Sequence, residues 1–327
     1  MNENGISMIP CRICKSAQVK EIGNYTPYKE YSFVVYDCLN CGCRFVWRGG
    51  DIYETLHRLD QSPYSFHKDI AEKVKEWFDY GKLTEMYEYL TVFPKNKFII
   101  DAIAKLEGPK IILEIGCSLG YLTAYHIISG HEILGVDISP TAVSEASARF
   151  GNHFRVIDDN NFARLGTFDV VYHVGTIGCV DDPIGFTRAI LDSLKVGGKL
   201  FFNCPDVEAA REMKAIWNKG TPPPDLITLF KDSVWRELFA KDVEVNISYD
   251  PYDVKANIYK YIDKLLRRPY LIETPEISIS QIKLREAERI TPAILKKLFQ
   301  ILSQVNLWNV FPRHVLEIGM FVTMTKH

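Results

Sequence analysis

Nowhere among the 327 residues is there a run of about 18 apolar side chains, the length that a membrane-crossing helix needs. No transmembrane segment is therefore expected. The first ten residues, MNENGISMIP, have neither the basic start nor the apolar centre of a secretory signal, and the expectation is a soluble cytoplasmic protein. An excess of one charge is also missing: 39 Lys and Arg stand against 41 Asp and Glu, a net charge of −2, and the pI is near 6.5. That balance argues against a general nucleic-acid binder, whose binding domain is ordinarily basic. There is no internal repeat and no low-complexity tract, so ordinary globular architecture is expected, with length enough for two domains or one domain with large attachments.

What is present begins with Ile111 to Asp137, IILEIGCSLGYLTAYHIISGHEILGVD. An apolar run ends in Glu114, Gly116 and Gly120 bracket a tight turn, a helical pattern follows, and a second apolar run ends in Asp137. This is strand, glycine loop, helix and strand. Gly116 leaves the strand where a side chain would collide with a ligand, and Gly120 lets the backbone pass close to a ligand or to the sheet. Asp137 ends the second strand about 20 residues on, where a carboxylate can hold both hydroxyls of a ribose.

A dinucleotide fingerprint, GxGxxG, is lacking, because Ser118 and Leu119 fill the middle of the loop. A pyrophosphate would also be repelled by the acid two residues before Gly116, whereas an ammonium group would be attracted to it. The stretch resembles the opening motifs of class I S-adenosylmethionine-dependent methyltransferases, which run strand, E/DxGxGxG, helix, strand, acid. The departure is Ser118 in place of the middle glycine. In this it is similar to the sugar C-methyltransferases of deoxysugar and polysaccharide biosynthesis, whose loops tend to carry a polar residue there.

The resemblance implies an α/β fold, a doubly wound Rossmann-like sheet of order 3-2-1-4-5-7-6, and S-adenosyl-L-methionine as cofactor. It implies that Glu114, Gly116, Cys117, Ser118 and Gly120 surround the methionine part, that Asp137 takes the ribose and that Ile138 lies against the adenine. An acid after the third strand would approach the adenine amine, with Asp158 the first choice and Asp159 beside it. After the fourth strand the chain reads YHVGTIGCVDDP, where the family often has hVLEHVxDP. Val180, Asp182 and Pro183 match, but the usual Glu-His is Gly178-Cys179. His173, at the strand end, is then the nearest candidate base, with lining of the cofactor pocket as its alternative role. His67 is a second candidate base.

Four of the eight cysteines form Cys11-x2-Cys14 and Cys38-x2-Cys41. Each pair can occupy a knuckle turn, and four thiolates can converge on one tetrahedral Zn2+ in a closed, structural site. Gly42 permits the left-handed backbone of such a turn. Strands are expected over 17–22, 31–37 and 44–47. Disulfides do not suit the expected compartment, and the matched pairs do not suit a redox motif. Cys43 is read as a spare thiol or small packing residue.

The domain reading is a zinc ribbon over 8–50, a helical connector or lid over 51–107, and a Rossmann-like domain over 108–327 carrying a helical insertion at about 251–313. Helices fit 69–80, 83–90, 96–106, 119–129, 140–149, 183–194 and a stretch around 225–239. Strands fit 111–115, 132–137, 153–157, 169–174 and 198–203, with Gly197-Gly198 as the turn before the last. Further strands fit 243–249 and 315–325. LKVGGKL resembles the family's LKPGGxL.

The expected function is methyl transfer to a small-molecule acceptor, a sugar, nucleotide sugar or glycan precursor. An RNA methyltransferase with a zinc module is the alternative, although the acidic pI and the lack of an NPPY-type motif oppose it. A non-catalytic cofactor-binding relative is the third reading. The sequence carries no signal for oligomeric state.

Overall fold

The computed structural model describes residues 9–28, 31–47, 65–157, 159–212, 214–218, 221–251 and 318–327. The expectations for Asp158 and for the insertion at 252–313 lie outside the described residues, as does the start of the expected connector.

The N-terminal part is an antiparallel ribbon of β1 (Val19–Tyr28), β2 (Tyr31–Cys38) and β3 (Arg44–Val46). The two knuckles are built alike. Lys15 N donates to Cys11 O and Gly42 N donates to Cys38 O, both at 3.0 Å, and Lys15 and Gly42 both have positive φ, at 58° and 74°. The turn thus demands a left-handed residue right after each cysteine pair, which Gly42 supplies without strain.

Three helices follow, α1 (Ser65–Phe78), α2 (Leu83–Leu90) and α3 (Pro94–Ala104). Pro94 opens α3 at a position where a missing N–H costs nothing. The chain then alternates β4 (Ile111–Ile115), α4 (Tyr121–Ile128), β5 (Glu132–Asp137), α5 (Pro140–Phe150), β6 (Phe154–Val156), β7 (Phe168–His173), α6 (Pro183–Asp192) and β8 (Leu194–Cys204). It continues through α7 (Val207–Glu212), β9 (Thr228–Leu229), α8 (Ser233–Phe239), β10 (Val243–Pro251) and β11 (Ile318–Lys326). Among the described residues no helix is long and apolar enough to cross a membrane.

Seven strands form the central sheet in the order β10-β11-β8-β7-β4-β5-β6. Numbered along the chain from β4, and read from the β6 edge, that order is 3-2-1-4-5-7-6. Neighbours among the first five are parallel, while β11 is antiparallel to both β8 and β10. Strand alternation splits the core into two layers. Ile112, Val170, Tyr172 and Phe201 face a layer with Val74, Met86 and Leu122. Leu113, Val171, Leu200 and Phe202 face one with Ile190 and Trp235, and the ribbon's Cys11, Ile13 and Phe45 join this second layer.

Three expectations need correction. Gly197-Gly198 is no turn before the fifth strand: β8 starts at Leu194 and runs through both glycines, with its pairing to β7 stepping from Phe168↔Leu194 to Val170↔Lys199. That slip is a bulge, and Gly197 takes its positive φ of 75°. The helix expected around 225–239 is shortened to Ser233–Phe239, because Thr228–Leu229 pairs with β3 and extends the ribbon to four strands, β1-β2-β3-β9. Finally, the strand expected at 169–174 ends at His173.

Candidate functional site

The loop after β4 folds over the end of β5. Gly116 N and Cys117 N both donate to Val136 O, at 2.8 and 3.0 Å. Gly116 and Gly120 have φ of 74° and 79°, and both are hemmed in by neighbours. A Cβ on Gly116 would lie 2.6 Å from Thr176 Oγ1, and one on Gly120 would lie 2.5 Å from Phe154 Cζ and 3.0 Å from Ala146 Cβ. The middle residue, Ser118, is itself left-handed at φ 48°. A glycine would relieve that conformation, so the departure at Ser118 has a backbone cost.

Asp137 closes the loop from the other side. Its Oδ2 accepts from Ser118 N at 2.8 Å and its Oδ1 from Ser139 N at 2.9 Å. The carboxylate is thereby fixed between two loop ends, half-buried at the sheet's C-terminal edge. Ile138, 64 % exposed, stands next to it as an uncovered apolar surface. Asp159 is exposed and turned to local partners: its Oδ1 accepts from Asn161 N at 3.1 Å and its Oδ2 pairs with Arg164 at 3.0 Å.

Glu114 lies beneath the loop and is 4 % exposed. Thr123 of α4 donates its hydroxyl to Glu114 Oε2, and Tyr172 is its partner across the β4–β7 pair. Burial raises the Glu114 pKa from 4.5 to about 7, against the lowering effect of the Thr123 hydrogen bond. Burial also raises the Cys117 thiol, and the acids Glu114 and Asp137 add to it. The cradle therefore holds two carboxyl groups, and among the described residues no cation pairs with the buried one.

The two candidate bases part company. His67, on α1, places Nδ1 3.0 Å from the Tyr121 hydroxyl, and the rings stack at 5.8 Å. Tyr121 follows Gly120 directly, and burial followed by the field of Glu114 raises its pKa. His67 is thus joined to the glycine loop through a residue that the sequence reading passed over, although its place right after the loop was a visible signal.

His173 is not at the crevice. It is fully buried in the layer opposite to Glu114 and Tyr172, stacked on Phe202 at 4.9 Å and edge-on to Phe186 at 5.6 Å. Neither ring nitrogen has a hydrogen-bond partner among the described residues, and burial drives its pKa down to about 3. A neutral imidazole sealed among phenyl rings takes no proton from a substrate, so both roles expected for His173 are withdrawn.

The loop after β7 is fastened at several points. Gly175 N donates to Asn203 Oδ1 at 2.7 Å, and Thr176 abuts Gly116. Gly178 takes the first place of the expected Glu-His, and a Cβ there would meet Leu226 Cδ1 at 2.3 Å and Pro205 Cγ at 3.0 Å. The space that a side chain at 178 would need is filled by Leu226, in the segment leading into β9, and by Pro205. On the far side Lys95, at the start of α3, has its amine pKa lowered by burial, with Cys179 near enough to oppose that shift.

The four knuckle cysteines do converge, with their sulfurs all within 4.8 Å of one another. Cys11 and Cys41 Sγ are 3.6 Å apart, and Cys14 and Cys38 Sγ 3.5 Å. A tetrahedron with Zn–S bonds of about 2.3 Å has edges of about 3.8 Å, so the donor set fits such an ion. The hydrogen bond to Cys41 and burial push the Cys11 thiol up, and burial pushes Cys38 up to about 11. Cys14 goes the other way: burial would raise it, but hydrogen bonds led by that from Asn40 bring it down to about 7, so without a cation one thiol is poised to ionise while the other three hold their protons. Cys43 is buried outside the cluster and accepts from Lys231 N at 3.3 Å.

Residues 88–242 match a protein-family model described as a methyltransferase domain. The chain carries a class I S-adenosylmethionine-dependent methyltransferase domain. The methyltransferase domain is similar to the ubiquinone biosynthesis O-methyltransferase of Xanthomonas oryzae pv. oryzae, 28 % identical over 150 residues. That match spans 42 % of this chain and 62 % of the relative. The Xanthomonas campestris pv. campestris enzyme of the same name is 27 % identical over 218 residues, covering 59 % of this chain and 90 % of its own. Among solved structures, a SAM-dependent methyltransferase from Archaeoglobus fulgidus aligns at 12 % identity, TM-score 0.44, over 71 % of this chain and 92 % of that one. The plantazolicin methyltransferase BpumL in complex with SAH aligns at 14 % identity, TM-score 0.41, over 85 % and 100 %.

The donor set of the methyltransferase domain suits a phosphate-free cofactor. Glu114 and Asp137 are acids, and the site residues Glu114 to Gly120 and Asp137 to Ile138 include no Lys or Arg to meet a pyrophosphate.

Proposed function

We propose that the protein transfers a methyl group from S-adenosylmethionine to a small-molecule acceptor at the C-terminal edge of β4, β5 and β7. The observation that carries this reading is the Glu114–glycine loop–Asp137 arrangement. Glu114 would meet the ammonium group, Asp137 the ribose hydroxyls and Ile138 the adenine face, with Asp158 and Asp159 as the acids nearest the adenine amine in the chain. When bound, S-adenosylmethionine supplies an electrophilic methyl on a sulfonium. The protein's part is to hold an acceptor in line with it and to exclude water. His67 and Tyr121 are the pair to orient an acceptor hydroxyl or take its proton. Cys11, Cys14, Cys38 and Cys41 would hold one structural zinc ion.

For the acceptor, the order of ribbon, helical connector and polar glycine loop favours a sugar-linked compound, by resemblance to the sugar C-methyltransferases. The relatives named above are O-methyltransferases of ubiquinone biosynthesis, and their names do not point to a sugar. The test is calorimetry with S-adenosylhomocysteine, then labelled S-adenosylmethionine with a panel of nucleotide sugars and hydroxylated aromatic compounds. Micromolar binding and label in one acceptor class are expected. Absence of S-adenosylhomocysteine binding would overturn the reading, and label appearing only in aromatic hydroxyls would remove the sugar.

A further inference from the structure

The ribbon is not a separate appendage. Its third strand pairs with β9, and the bonding continues inward. Val46 N donates to Ile227 O at 3.0 Å, and Ile227 N donates to Gly178 O at 2.8 Å. The turn after β7 is therefore two hydrogen bonds away from the ribbon sheet. A second connection starts next to a knuckle cysteine. Arg12, 4 % exposed, directs Nε to Val46 O at 3.1 Å, and its Nη1 to Asp181 Oδ1 at 2.8 Å and to Asp181 O at 3.3 Å. Its guanidinium lies 4.7 Å from the centre of the Trp47 ring. From the same knuckle Lys15 reaches Asp182 Oδ1 at 3.0 Å.

Asp181 and Asp182 end the segment that begins at Gly175, and this segment leaves the fourth core strand beside the glycine loop. A buried arginine that bonds both the side chain and the backbone of one loop residue fixes that residue's place in two directions. The donor side of the crevice is held otherwise, by bonds from Gly116, Cys117 and Ser118 to β5.

We propose that the four-cysteine ribbon is a positioning element for the 175–182 loop, with Arg12 as the residue that joins the knuckle to it. The ribbon then shapes the acceptor side of the crevice, while the methyl-donor side is held by its own bonds to β5 and meets the loop at Thr176. Only the words acceptor and donor rest on the methyl-transfer reading; the coupling itself does not.

The experiment is hydrogen exchange on the full chain, with zinc content measured in parallel, comparing the natural protein with Arg12→Met, Arg12→Lys, Asp181→Asn and the Arg12→Met/Asp181→Asn pair. In Arg12→Met that retains its zinc, the amides of Cys179 and Ile227 should exchange about tenfold faster, the size of one lost charge-assisted hydrogen bond. Those of Gly116, Cys117 and Ser118 should change less than about threefold, as should S-adenosylhomocysteine affinity. Arg12→Lys, which keeps a charged donor, should recover much of the protection. The double variant should lose no more than Arg12→Met alone. Unchanged exchange at Cys179 and Ile227, or an equal rise at Gly116 to Ser118, overturns the proposal. If Arg12→Met does not fold, Asp181→Asn reads the same bond from the loop side. Faster loop exchange in a protein that never binds S-adenosylhomocysteine would keep the coupling and discard the methyl-transfer reading.

Discussion

Replacing Glu114 with glutamine separates two consequences of burying a carboxyl group. Burial raises its pKa from 4.5 to about 7. Because the folded value lies above the unfolded one, the carboxyl contributes its full stability below pH 4.5. That contribution is lost as pH rises through about 7, since the unfolded chain releases the proton first. A rise of that size corresponds to a loss of about 3 kcal/mol, which accumulates at about 1.4 kcal/mol per pH unit and levels off above the folded pKa.

Glu114→Gln has no proton to lose, and its amide oxygen can still accept from Thr123. Urea unfolding from pH 4 to 8.5 should show the variant gaining on the natural protein by about 3 kcal/mol across that window, with other titrations cancelling in the difference. Ligand binding should move the other way. An ammonium beside Glu114 stabilises the carboxylate, so S-adenosylhomocysteine affinity should rise up to tenfold per unit as pH climbs toward about 7, then flatten. In Glu114→Gln that rise should vanish, and affinity at pH 8 should fall about 10- to 100-fold, the worth of a charge-assisted hydrogen bond. Parallel stability curves, or equal affinities at pH 8, would refute the reasoning.

Three further perturbations address other parts of the structure. Gly120→Ala places a methyl 2.5 Å from Phe154 Cζ in a left-handed residue. It should lose about 2–4 kcal/mol in thermal or urea unfolding and weaken S-adenosylhomocysteine binding; a neutral substitution would contradict the packing. His173→Phe removes two ring nitrogens that have no partner among the described residues and should leave S-adenosylhomocysteine affinity unchanged while stabilising the fold by about 1 kcal/mol. A loss of transfer activity would restore His173 to the chemistry. Plasma spectrometry should find one zinc per chain, abolished in Cys38→Ser together with a lower melting temperature; zinc retained by that variant would rule out the four-cysteine site.

Composition and spacing carried much of this protein openly. The glycine loop, the acids Glu114 and Asp137 and the paired cysteines are local devices, in which the residue type is dictated by a nearby backbone turn or by convergence across a short hairpin. Strand and helix positions between Ile111 and Asp192 were legible for the same reason, because alternation and helical period are written in neighbouring residues.

What needed the folded chain was relative placement. Alternation says that Tyr172 and His173 point to opposite faces, but only the β4–β7 register, Glu114 against Tyr172, tells which of them shares a face with the cradle. Gly178 departed from the expected Glu-His without visible cause until Leu226 and Pro205, distant in sequence, were found in its space. The strand Thr228–Leu229 lies in a segment whose local pattern reads as helix, and it is a strand because β3 offers it an open edge. Contacts made across nearly two hundred residues leave no mark in a short window of sequence, and these contacts decide how the ribbon meets the crevice.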